Sequence, residues 1–260
     1  MSLEINRIYN MNCFDFLDKV ENSSVDLIVV DPPYNMRKAD WDIFKSHDDF
    51  LKFSYQWIDK AIDKLTKDGS FYIFNTPFNS AFLCQYLVSK GLIFQNWITW
   101  DKRDGMGSAK RRYSAGQETI LFFTKSQKHT FNYDDIRVPY ESEERINHAK
   151  EKGILKNGKR WFPNPNGRLC GEVWHFTSHR HKSKVNGKVI KMQHITPKPH
   201  DLIERIIKAS SNPNDIVMDF FMGSGTTAIV AKKLERNFIG CDQDENYVNF
   251  ATEVLCEMKS

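Results

Sequence analysis

The fold of this 260-residue chain is decided by the stretch Ile216-Val217-Met218-Asp219-Phe220-Phe221-Met222-Gly223-Ser224-Gly225-Thr226-Thr227. The stretch reads as a strand, a glycine turn and the start of a helix. Gly223 and Gly225 permit a tight turn and let a ligand approach the backbone without meeting a Cβ atom. Asp242 follows Gly225 by seventeen residues and ends the next strand-like run, where a carboxylate can accept hydrogen bonds from ribose hydroxyls. The pattern therefore predicts a site for an adenosine-containing ligand, while a plain strand-to-helix connector and a helix-capping Asp242 stay open as structural alternatives.

The same alternation of strands and helices extends outward from this stretch. Val25–Val30 is a continuous apolar and β-branched run, typical of a strand that a parallel sheet buries on both faces. Periodicity and turn residues predict further strands at 70–75, 94–100, 119–124, 216–220 and 238–242. They predict helices at 50–65, 79–90, 201–210, 226–234 and 245–258. Alternation of this kind indicates an α/β fold with a doubly wound, mostly parallel sheet.

The alternation is interrupted in the middle of the chain. Residues 126–194 are polar, basic and rich in Asn, Gly and Pro, as in the run WFPNPNG at 161–167. Such a composition is typical of an insertion with irregular loops. We therefore predict that residues 1–125 and 195–260 form one catalytic and cofactor-binding α/β domain, into which residues 126–194 are inserted.

The net charge of +4 is unevenly distributed along the chain. Between residues 150 and 200 there are twelve lysines and arginines but two acidic residues, a local charge of +10. A second basic cluster, at 102–103 and 110–112, flanks the small residues at 105–109. One such cluster is ordinarily a solvated surface, but two beside aromatic and glycine-rich loops favour a polyanionic partner. The candidates for contact with a nucleic acid are Lys102, Arg103, Lys110, Arg111, Arg112, His179, Arg180, His181 and Lys182.

The composition disfavours several classes of protein and site. The N-terminal residues lack a basic head followed by an apolar run, and no run of about 18 apolar residues occurs, so we expect a cytoplasmic protein without a membrane span. Five widely spaced cysteines disfavour a disulfide framework and a cysteine-rich zinc site. Zinc is an alternative role for four histidines, but no cysteine or acid with ligand spacing accompanies them, so we favour phosphate contact and expect no metal: His175, His179, His181 and His194.

A rigid turn, Asp31-Pro32-Pro33-Tyr34, directly follows the run Val25–Val30. Ligands of open α/β sheets bind at the carboxyl ends of strands, which is where this turn lies. The prolines fix their own φ angles and hold the preceding residues extended, so the Asp31 carboxylate and the Pro32 carbonyl form two neighbouring acceptors. Two such acceptors match the N–H groups of an exocyclic amino group such as N6 of adenine. By accepting hydrogen bonds from both N–H groups, they localise the nitrogen lone pair for attack on a methyl group.

The aromatic ring of Tyr34 offers a face on which a base rotated out of a double helix can stack. A stiff loop with packing value alone is the structural alternative, which the accompanying glycine loop disfavours. We therefore take Asp31, Pro32, Pro33 and Tyr34 as the candidate catalytic residues.

The two motifs together resemble those of the amino-methyltransferases of DNA restriction-modification systems. In that family, the order catalytic motif, insertion, cofactor motif defines the β class, and Asp31 to Tyr34, residues 126–194 and residues 220–225 follow that order here. The resemblance implies a Rossmann-like methyltransferase fold with S-adenosyl-L-methionine as the cofactor. It further implies transfer of the methyl group to N6 of a flipped-out adenine in double-stranded DNA, as protection within a restriction-modification system.

The resemblance also implies roles for individual segments. Residues 126–194 would read the DNA sequence, and the protein would form a homodimer, as β-class members often do. Residues 12–14 would lie against the adenine of the cofactor, and residues 196–199 near its methionine part. Phe220 stands where the family often has proline, a departure that should alter the rigidity of the turn more than the chemistry. The implied cofactor pocket consists of Asn12, Cys13, Phe14, Thr196, Lys198, Asp219, Phe220, Phe221, Met222, Gly223, Ser224, Gly225, Thr226 and Asp242.

Several alternatives to an adenine-specific enzyme stay open at this point. An N4-cytosine methyltransferase uses the same acceptor geometry, although Ser is more usual at the position of Asp31. RNA or a protein glutamine could supply the amino group, and there Asn commonly leads the motif. A dehydrogenase that binds NAD would carry its glycine loop near the start and nothing like the Asp31 turn. A DNA-binding subunit without catalysis is disfavoured because each element that the chemistry requires is present.

Overall fold

The computed structural model describes residues 3–106, 110–111, 113–177, 182–185, 188–191 and 197–258. The strands within these ranges are β1 (Arg7–Asn10), β2 (Val25–Val30), β3 (Leu65–Asn75), β4 (Ile93–Met106), β5 (Ala115–Thr124), β6 (Ile154–Lys156), β7 (Lys159–Trp161), β8 (Val173–His175), β9 (Lys182–Val185), β10 (Lys188–Lys191), β11 (Ile216–Asp219) and β12 (Asn237–Asp242). The helices are α1 (Cys13–Lys19), α2 (His47–Lys64), α3 (Pro77–Ser89), α4 (Glu143–Lys152), α5 (His200–Ser210), α6 (Thr226–Lys233) and α7 (Glu245–Glu257).

The main sheet of the described residues has the strand order β1-β12-β11-β2-β3-β5-β4-β8. The first five of these strands run parallel, β5 runs antiparallel to both of its neighbours, and β8 runs parallel to β4. The predicted α/β fold with a mostly parallel sheet is confirmed. Because β11 and β2 are parallel neighbours, with Met218 opposite Ile28, the two predicted motifs that follow them lie at one edge of the sheet.

Helices cover both faces of this sheet. On one face lie α1, α2 and α3, where Trp57 is fully buried and its ring contacts those of Phe71 and Phe220. On the other face lie α5, α6 and α7, with Ile206 and Val230 fully buried among them. Burying an apolar side chain of this size stabilises a fold by about 1.5–3 kcal/mol. The two helical layers therefore support the edge that carries the motifs from both sides.

The predicted elements are present with shifted ends. The helix predicted at 50–65 begins earlier, at His47, because the Ser46 hydroxyl caps it by accepting from the Asp49 N–H group. The strands predicted at 70–75 and 94–100 are longer at one or both ends, spanning Leu65–Asn75 and Ile93–Met106. The sequence does not predict β1 and α1, because runs of four and seven residues are too short for a clear periodic pattern.

The segment predicted as an insertion contains regular structure besides loops. It includes α4, a hairpin of β6 and β7, and a second hairpin of β9 and β10. Its strand β8 joins the main sheet, where Trp174 lies opposite Trp100 of β4. The buried indole of Trp174 donates to the Gly171 carbonyl at 2.7 Å. Part of this segment thus extends the sheet beyond the edge that β4 would otherwise form.

Candidate active site

Two adjoining cavities lie where β2 and β11 end. The larger cavity has a volume of about 360 Å³ and the smaller cavity a volume of about 60 Å³. Four residues line both cavities: Asp31, Trp41, Phe221 and Gly223. The two predicted motifs therefore share one divided cleft, and Asp31 lies at the division.

The turn after β2 is organised by the buried residue Asp42. Its Oδ1 accepts from the backbone N–H groups of Tyr34 at 2.6 Å and Asn35 at 2.7 Å, and its Oδ2 accepts from Met36 at 2.9 Å. Asp42 is 1% exposed, and hydrogen bonds to a buried carboxylate are among the strong ones in proteins. The sequence does not predict this role, because a single acid eight positions beyond Tyr34 has no recognisable spacing. The backbone after Tyr34 is consequently fixed in one conformation.

The same turn is held from a second side by α3. The side-chain amide of Asn79 donates to the Tyr34 carbonyl and to Asn75 Oδ1, each at 2.8 Å. Asn79 is itself placed by the helix start, where its N–H group donates to the Thr76 hydroxyl at 3.2 Å. The carboxyl end of β3 therefore supports the turn that follows β2.

Asp31 belongs to a group of five residues that we name the Asp31 cluster. Asp31 Oδ1 accepts from the Tyr34 hydroxyl at 2.6 Å, and its Oδ2 accepts from the Lys198 ammonium group. Glu118 of β5 lies beside both donors, with its Oε2 3.1 Å from the Tyr34 hydroxyl and 3.5 Å from Lys198 Nζ. Lys102 of β4 donates to the other carboxylate oxygen of Glu118. The sequence predicted Lys198 at a cofactor pocket and Lys102 at DNA, whereas both ammonium groups bind carboxylates inside this cluster.

Burial and charge act in opposite directions on the groups of the Asp31 cluster. Burial would lower the pKa of Lys198, but Asp31 and Glu118 raise it above its ordinary value. Burial would raise the pKa of Glu118, but Lys198 and Lys102 hold it below its ordinary value. Burial, together with the charges of Asp31 and Glu118, raises the pKa of Tyr34 well above its ordinary value. At neutral pH Glu118 and Lys198 therefore carry opposite charges beside the neutral hydroxyl of Tyr34.

The loop after β11 is shaped by backbone conformation. Gly223 and Gly225 have φ angles of +50° and +81°, and a Cβ atom on Gly225 would lie 2.5 Å from Ala251 Cβ. The Gly223 N–H group donates to Asp242 Oδ2 at 2.7 Å, and the Asp244 N–H group donates to Asp242 Oδ1 at 3.0 Å. Asp244 caps α7, so the alternative that Asp242 is that helix cap is wrong. Asp242 instead supports the glycine loop and lines the larger cavity.

Asp219 joins the end of β11 to the start of α6. Its Oδ1 accepts from the Phe221 N–H group at 3.0 Å and its Oδ2 from the Thr227 hydroxyl at 2.7 Å. Burial raises the pKa of Asp219 to about 7, although these two hydrogen bonds act to lower it. Asp219, which lines the smaller cavity, therefore fixes the geometry of the loop.

Most of the predicted cofactor residues divide between the two cavities, whereas Gly225 lines neither. Asn12, Cys13 and Phe14 line the larger cavity together with Asp242 and Phe220. Asn12 caps α1 by accepting from the Phe14 N–H group at 3.0 Å, and burial raises the pKa of the Cys13 thiol to about 12. The part of the cavity lined by Asn12, Cys13 and Phe14 is therefore uncharged. The smaller cavity is lined by Lys198, Asp219, Met222, Ser224 and Thr226.

The remaining predicted residues lie away from the cleft or outside the described residues. Lys110 and Arg111 are exposed. Arg103 and Lys182 lie in β4 and β9, but their side chains are not among those described. The residues outside the described ranges are Arg112, His179, Arg180, His181 and Thr196.

A metal site and a membrane span are two features that the sequence disfavours. In the part of the chain that the structure describes, no group of three or more His, Cys, Asp or Glu side chains could hold a metal ion. No helix in that part is long and apolar enough to cross a membrane.

Comparison with known proteins agrees with this geometry. The sequence profile of a family described as DNA methylase, whose name covers N6 and N4 methyltransferases, matches residues 25–253. The chain belongs to this family. This DNA methylase is 77% identical over 257 residues to the type II methyltransferase M1.MboII of Moraxella bovis, an alignment that covers 99% of both chains.

Solved structures show that the DNA methylase shares its fold with enzymes of this kind. The complex of M1.HpyAVI with SAM aligns with a TM-score of 0.61 and 27% identity, covering 95% of this chain and 98% of that one. The cytosine-N4-specific PvuII DNA methyltransferase aligns with a TM-score of 0.71 and 17% identity, covering 99% of this chain and 88% of that one. At that identity the second likeness concerns the fold alone, so the fold does not distinguish adenine from cytosine as the target of the DNA methylase.

Proposed function

We propose that this protein transfers a methyl group from S-adenosyl-L-methionine to N6 of an adenine rotated out of double-stranded DNA. The observation that carries the proposal is the divided cleft, in which the Asp31 turn and the Gly223 loop meet at Asp31. The 77% identity to a type II methyltransferase supports a role in protecting DNA within a restriction-modification system.

The larger cavity fits the adenosine part of this cofactor. Its apolar wall includes Phe14, Phe53 and Phe221, and its polar rim includes Asp242. The positive φ angle of Gly223 lets the backbone approach a ligand there without a Cβ atom. When bound, S-adenosyl-L-methionine supplies an electrophilic methyl group on a positively charged sulfur. The residues present therefore match an adenosine ligand with a cationic end directed towards Asp31.

The Asp31 turn provides the acceptors that the target amino group needs. The Asp31 carboxylate and the Pro32 carbonyl accept from its two N–H groups and so localise the lone pair on nitrogen. The nitrogen then bonds to the methyl carbon as the carbon–sulfur bond breaks, and the electron pair of that bond remains on sulfur. The methylated nitrogen finally releases one proton, which the Asp31 carboxylate can receive. Asp42 and Asn79 contribute by holding the turn in the required conformation.

Two aromatic residues in the smaller cavity can stack on the extruded base. Tyr34 is 8% exposed and its hydroxyl is bound within the Asp31 cluster, whereas Trp41 is 36% exposed and lines both cavities. We expect a base that arrives from solvent to meet Trp41 first, and stacking on it offsets part of the cost of leaving the helix.

Residues 126–194 supply the surface proposed to recognise DNA. The hairpin of β6 and β7 exposes Lys156, Lys159 and Arg160 beside the half-exposed ring of Trp161. Exposed cations interleaved with an aromatic ring are suited to a phosphate backbone and its bases. Replacing Lys156 and Lys159 by glutamate should weaken DNA binding and flatten its salt dependence, with no change in cofactor affinity.

A homodimer is the oligomeric state that we propose. Helix α3 presents Phe78 and Val88 to solvent, with 65% and 53% of their surfaces exposed, and Phe78 packs beside Phe82 at a ring distance of 5.2 Å. Sedimentation velocity should give a dimer that dissociates in Phe78→Ser. A wild-type monomer at all concentrations would contradict the proposal.

The test of the proposed function is to identify the methylated base. The protein is incubated with tritiated S-adenosyl-L-methionine and unmethylated DNA or RNA, and the nucleic acid is digested and separated into nucleosides. We expect label in N6-methyl-2′-deoxyadenosine from DNA, and none with Asp31→Ala. Label in N4-methylcytosine would replace adenine as the substrate, and label in RNA alone would overturn the assignment to DNA.

A further inference from the structure

The Asp31 cluster contains a carboxylate that the proposed methyl transfer leaves unused. Glu118 is 7% exposed at the end of the cleft and touches neither of the acceptors assigned to the target base. Each of the two donors that bind Asp31 also lies near Glu118. The Tyr34 hydroxyl is 2.6 Å from Asp31 and 3.1 Å from Glu118, and Lys198 Nζ lies 3.5 Å from Glu118 while it donates to Asp31.

The hydrogen bonds that Asp31 accepts within the protein conflict with its proposed role as the acceptor for the target amino group. Both of its oxygens accept hydrogen bonds within the protein, one from a neutral hydroxyl and one from a cation. A carboxylate that is bound to an ammonium group is a weaker acceptor and a weaker base than a free one. The target amino group needs the electron density of Asp31, so Lys198 must release it when the base enters.

We propose that Glu118 is a positioning residue that takes over Lys198 from Asp31 when the target amino group enters the cleft. The inference rests on the proposed amino methylation and adds a mechanism for exposing its acceptor. The first part of this movement brings Nζ from 3.5 Å to an ordinary charge-assisted hydrogen-bond distance from Glu118 and covers less than about 1 Å. Further displacement in the same direction breaks the contact with Asp31.

The surroundings of Lys198 keep it inside the cluster during this movement. Its side chain is 9% exposed, and its ammonium group lies over the rings of Phe74 at 5.2 Å, Tyr34 at 5.6 Å and Trp100 at 5.9 Å. Cation–π contacts of this kind stabilise a buried ammonium group without fixing it to one acceptor. Moving to bulk water would remove these contacts, whereas moving to Glu118 retains them.

Lys102 explains why Glu118 can receive a cation and remain charged. It binds the Glu118 oxygen that Lys198 does not approach, so the two lysines do not compete for one atom. When Lys198 binds Glu118, the Glu118 carboxylate lies between two cations, Lys102 and Lys198. Asp31 is then the carboxylate without a cationic partner among the groups of the Asp31 cluster, and its oxygens are available to the target amino group.

The test compares Glu118→Gln with the double variant Glu118→Gln/Lys198→Met in single-turnover methylation of DNA. Glutamine preserves the size of the side chain but lacks the negative charge that draws the ammonium group, so Lys198 stays on Asp31 and the rate should fall by about 10²-fold. Removing Lys198 as well frees Asp31, so the double variant should be about tenfold faster than Glu118→Gln. The affinity for S-adenosyl-L-methionine, measured by calorimetry, should be unchanged in Glu118→Gln.

The outcomes separate this inference from the proposed function. If the wild-type protein methylates no amino group in DNA, the proposed function fails and the inference fails with it. If the wild-type protein is active and Glu118→Gln matches its rate, or the double variant is no faster than Glu118→Gln, the inference alone is overturned. A Glu118→Gln variant that loses cofactor affinity along with its rate would also overturn it, because that result indicates a structural role.

Discussion

The two halves of the cleft follow neighbouring parallel strands but are built by different means. After β2, the chemistry depends on charged side chains in the Asp31 cluster, which come from β4, β5 and the segment before α5 as well as from the turn itself. After β11, the loop depends on backbone conformation, with glycines at positive φ and N–H groups bound by Asp219 and Asp242. One half can change its charge distribution by small movements, whereas the other presents a fixed surface.

This difference predicts a separation of effects between the halves. Substitutions in the Asp31 cluster should alter the rate of methyl transfer with little change in cofactor affinity. Substitutions in the Gly223 loop should alter cofactor affinity and stability with less change in the rate at saturation. Four variants test whether the halves are separate to this degree.

The largest effect is expected for Asp31→Ala. The rate of methyl transfer should fall by about 10³-fold or more, because the main acceptor for the target amino group is lost. The dissociation constant of S-adenosyl-L-methionine, measured by calorimetry, should stay within about twofold, since the cofactor is assigned to the other half. Asp40→Ala, on the exposed part of the same loop, is the matched control and should keep the wild-type rate. Equal losses of rate and cofactor affinity in Asp31→Ala would show that the halves are not separate.

A smaller effect is expected for Gly225→Ala. The new Cβ atom would meet Ala251 Cβ at 2.5 Å and the φ angle of +81° would be strained, so the loop should shift and cofactor affinity should fall by about 10²-fold. Gly91→Ala is a matched control, because Gly91 has a φ angle of +84° with open space around it. The control should lose about 1 kcal/mol of stability and no cofactor affinity. Equal cofactor affinity in Gly225→Ala and Gly91→Ala would show that the close approach of α7 to residue 225 does not control cofactor binding.

Asp242→Ala should weaken cofactor binding by about tenfold, because the loss of one hydrogen-bonding carboxylate costs about 1.5 kcal/mol. Asp242→Asn retains one acceptor oxygen and should lie between this variant and the wild type. In equilibrium binding, an Asp242→Ala protein with the wild-type dissociation constant would exclude Asp242 from the cofactor site.

The smallest effect on function is expected at Asp219, where the prediction concerns the pH dependence of stability. Its pKa is raised from 3.8 to about 7, so between these values the folded protein holds a proton that the unfolded chain has lost. The resulting stability is fully present below pH 3.8 and is lost as the pH rises through about 7. Between about pH 5 and pH 8 we expect the free energy of unfolding to fall by about 2–3 kcal/mol from this group, which lowers the Tm by about 5–10 °C.

Asp219→Asn should remove that slope, and the exposed Asp48→Asn should retain it. Thermal unfolding of the three proteins at both pH values provides the measurement. A slope that is identical in Asp219→Asn and the wild type would assign it to other groups.

The parts of the site that could be predicted from the sequence are those with local signals. The Asp31 turn and the Gly223 loop each follow an apolar strand within a few residues, so their chemistry and their common edge can be read from spacing. Glu118 and Asp42 could not be found in this way. Glu118 is 84 positions from Tyr34 along the chain, and its carboxylate enters the cleft because β5 inserts antiparallel between β3 and β4. The contact between Lys102 and Glu118 could not be predicted either, because a basic run gives no information about which of its members turns inward.

The neighbouring positions of β2 and β11 also bear on how the chain is made. The Asp26 carboxylate accepts from the Ile216 N–H group at 2.9 Å across 190 positions of sequence. A ribosome that adds roughly 5–20 residues per second needs roughly 10–40 s to cover that separation. Throughout that interval one hydrogen-bonding edge of the mostly apolar β2 has no partner from this chain, and unpaired edges of this kind promote aggregation. A chain that ends before β11 lacks the Gly223 loop and exposes this unpaired strand edge, so we expect it to be inactive and prone to aggregation.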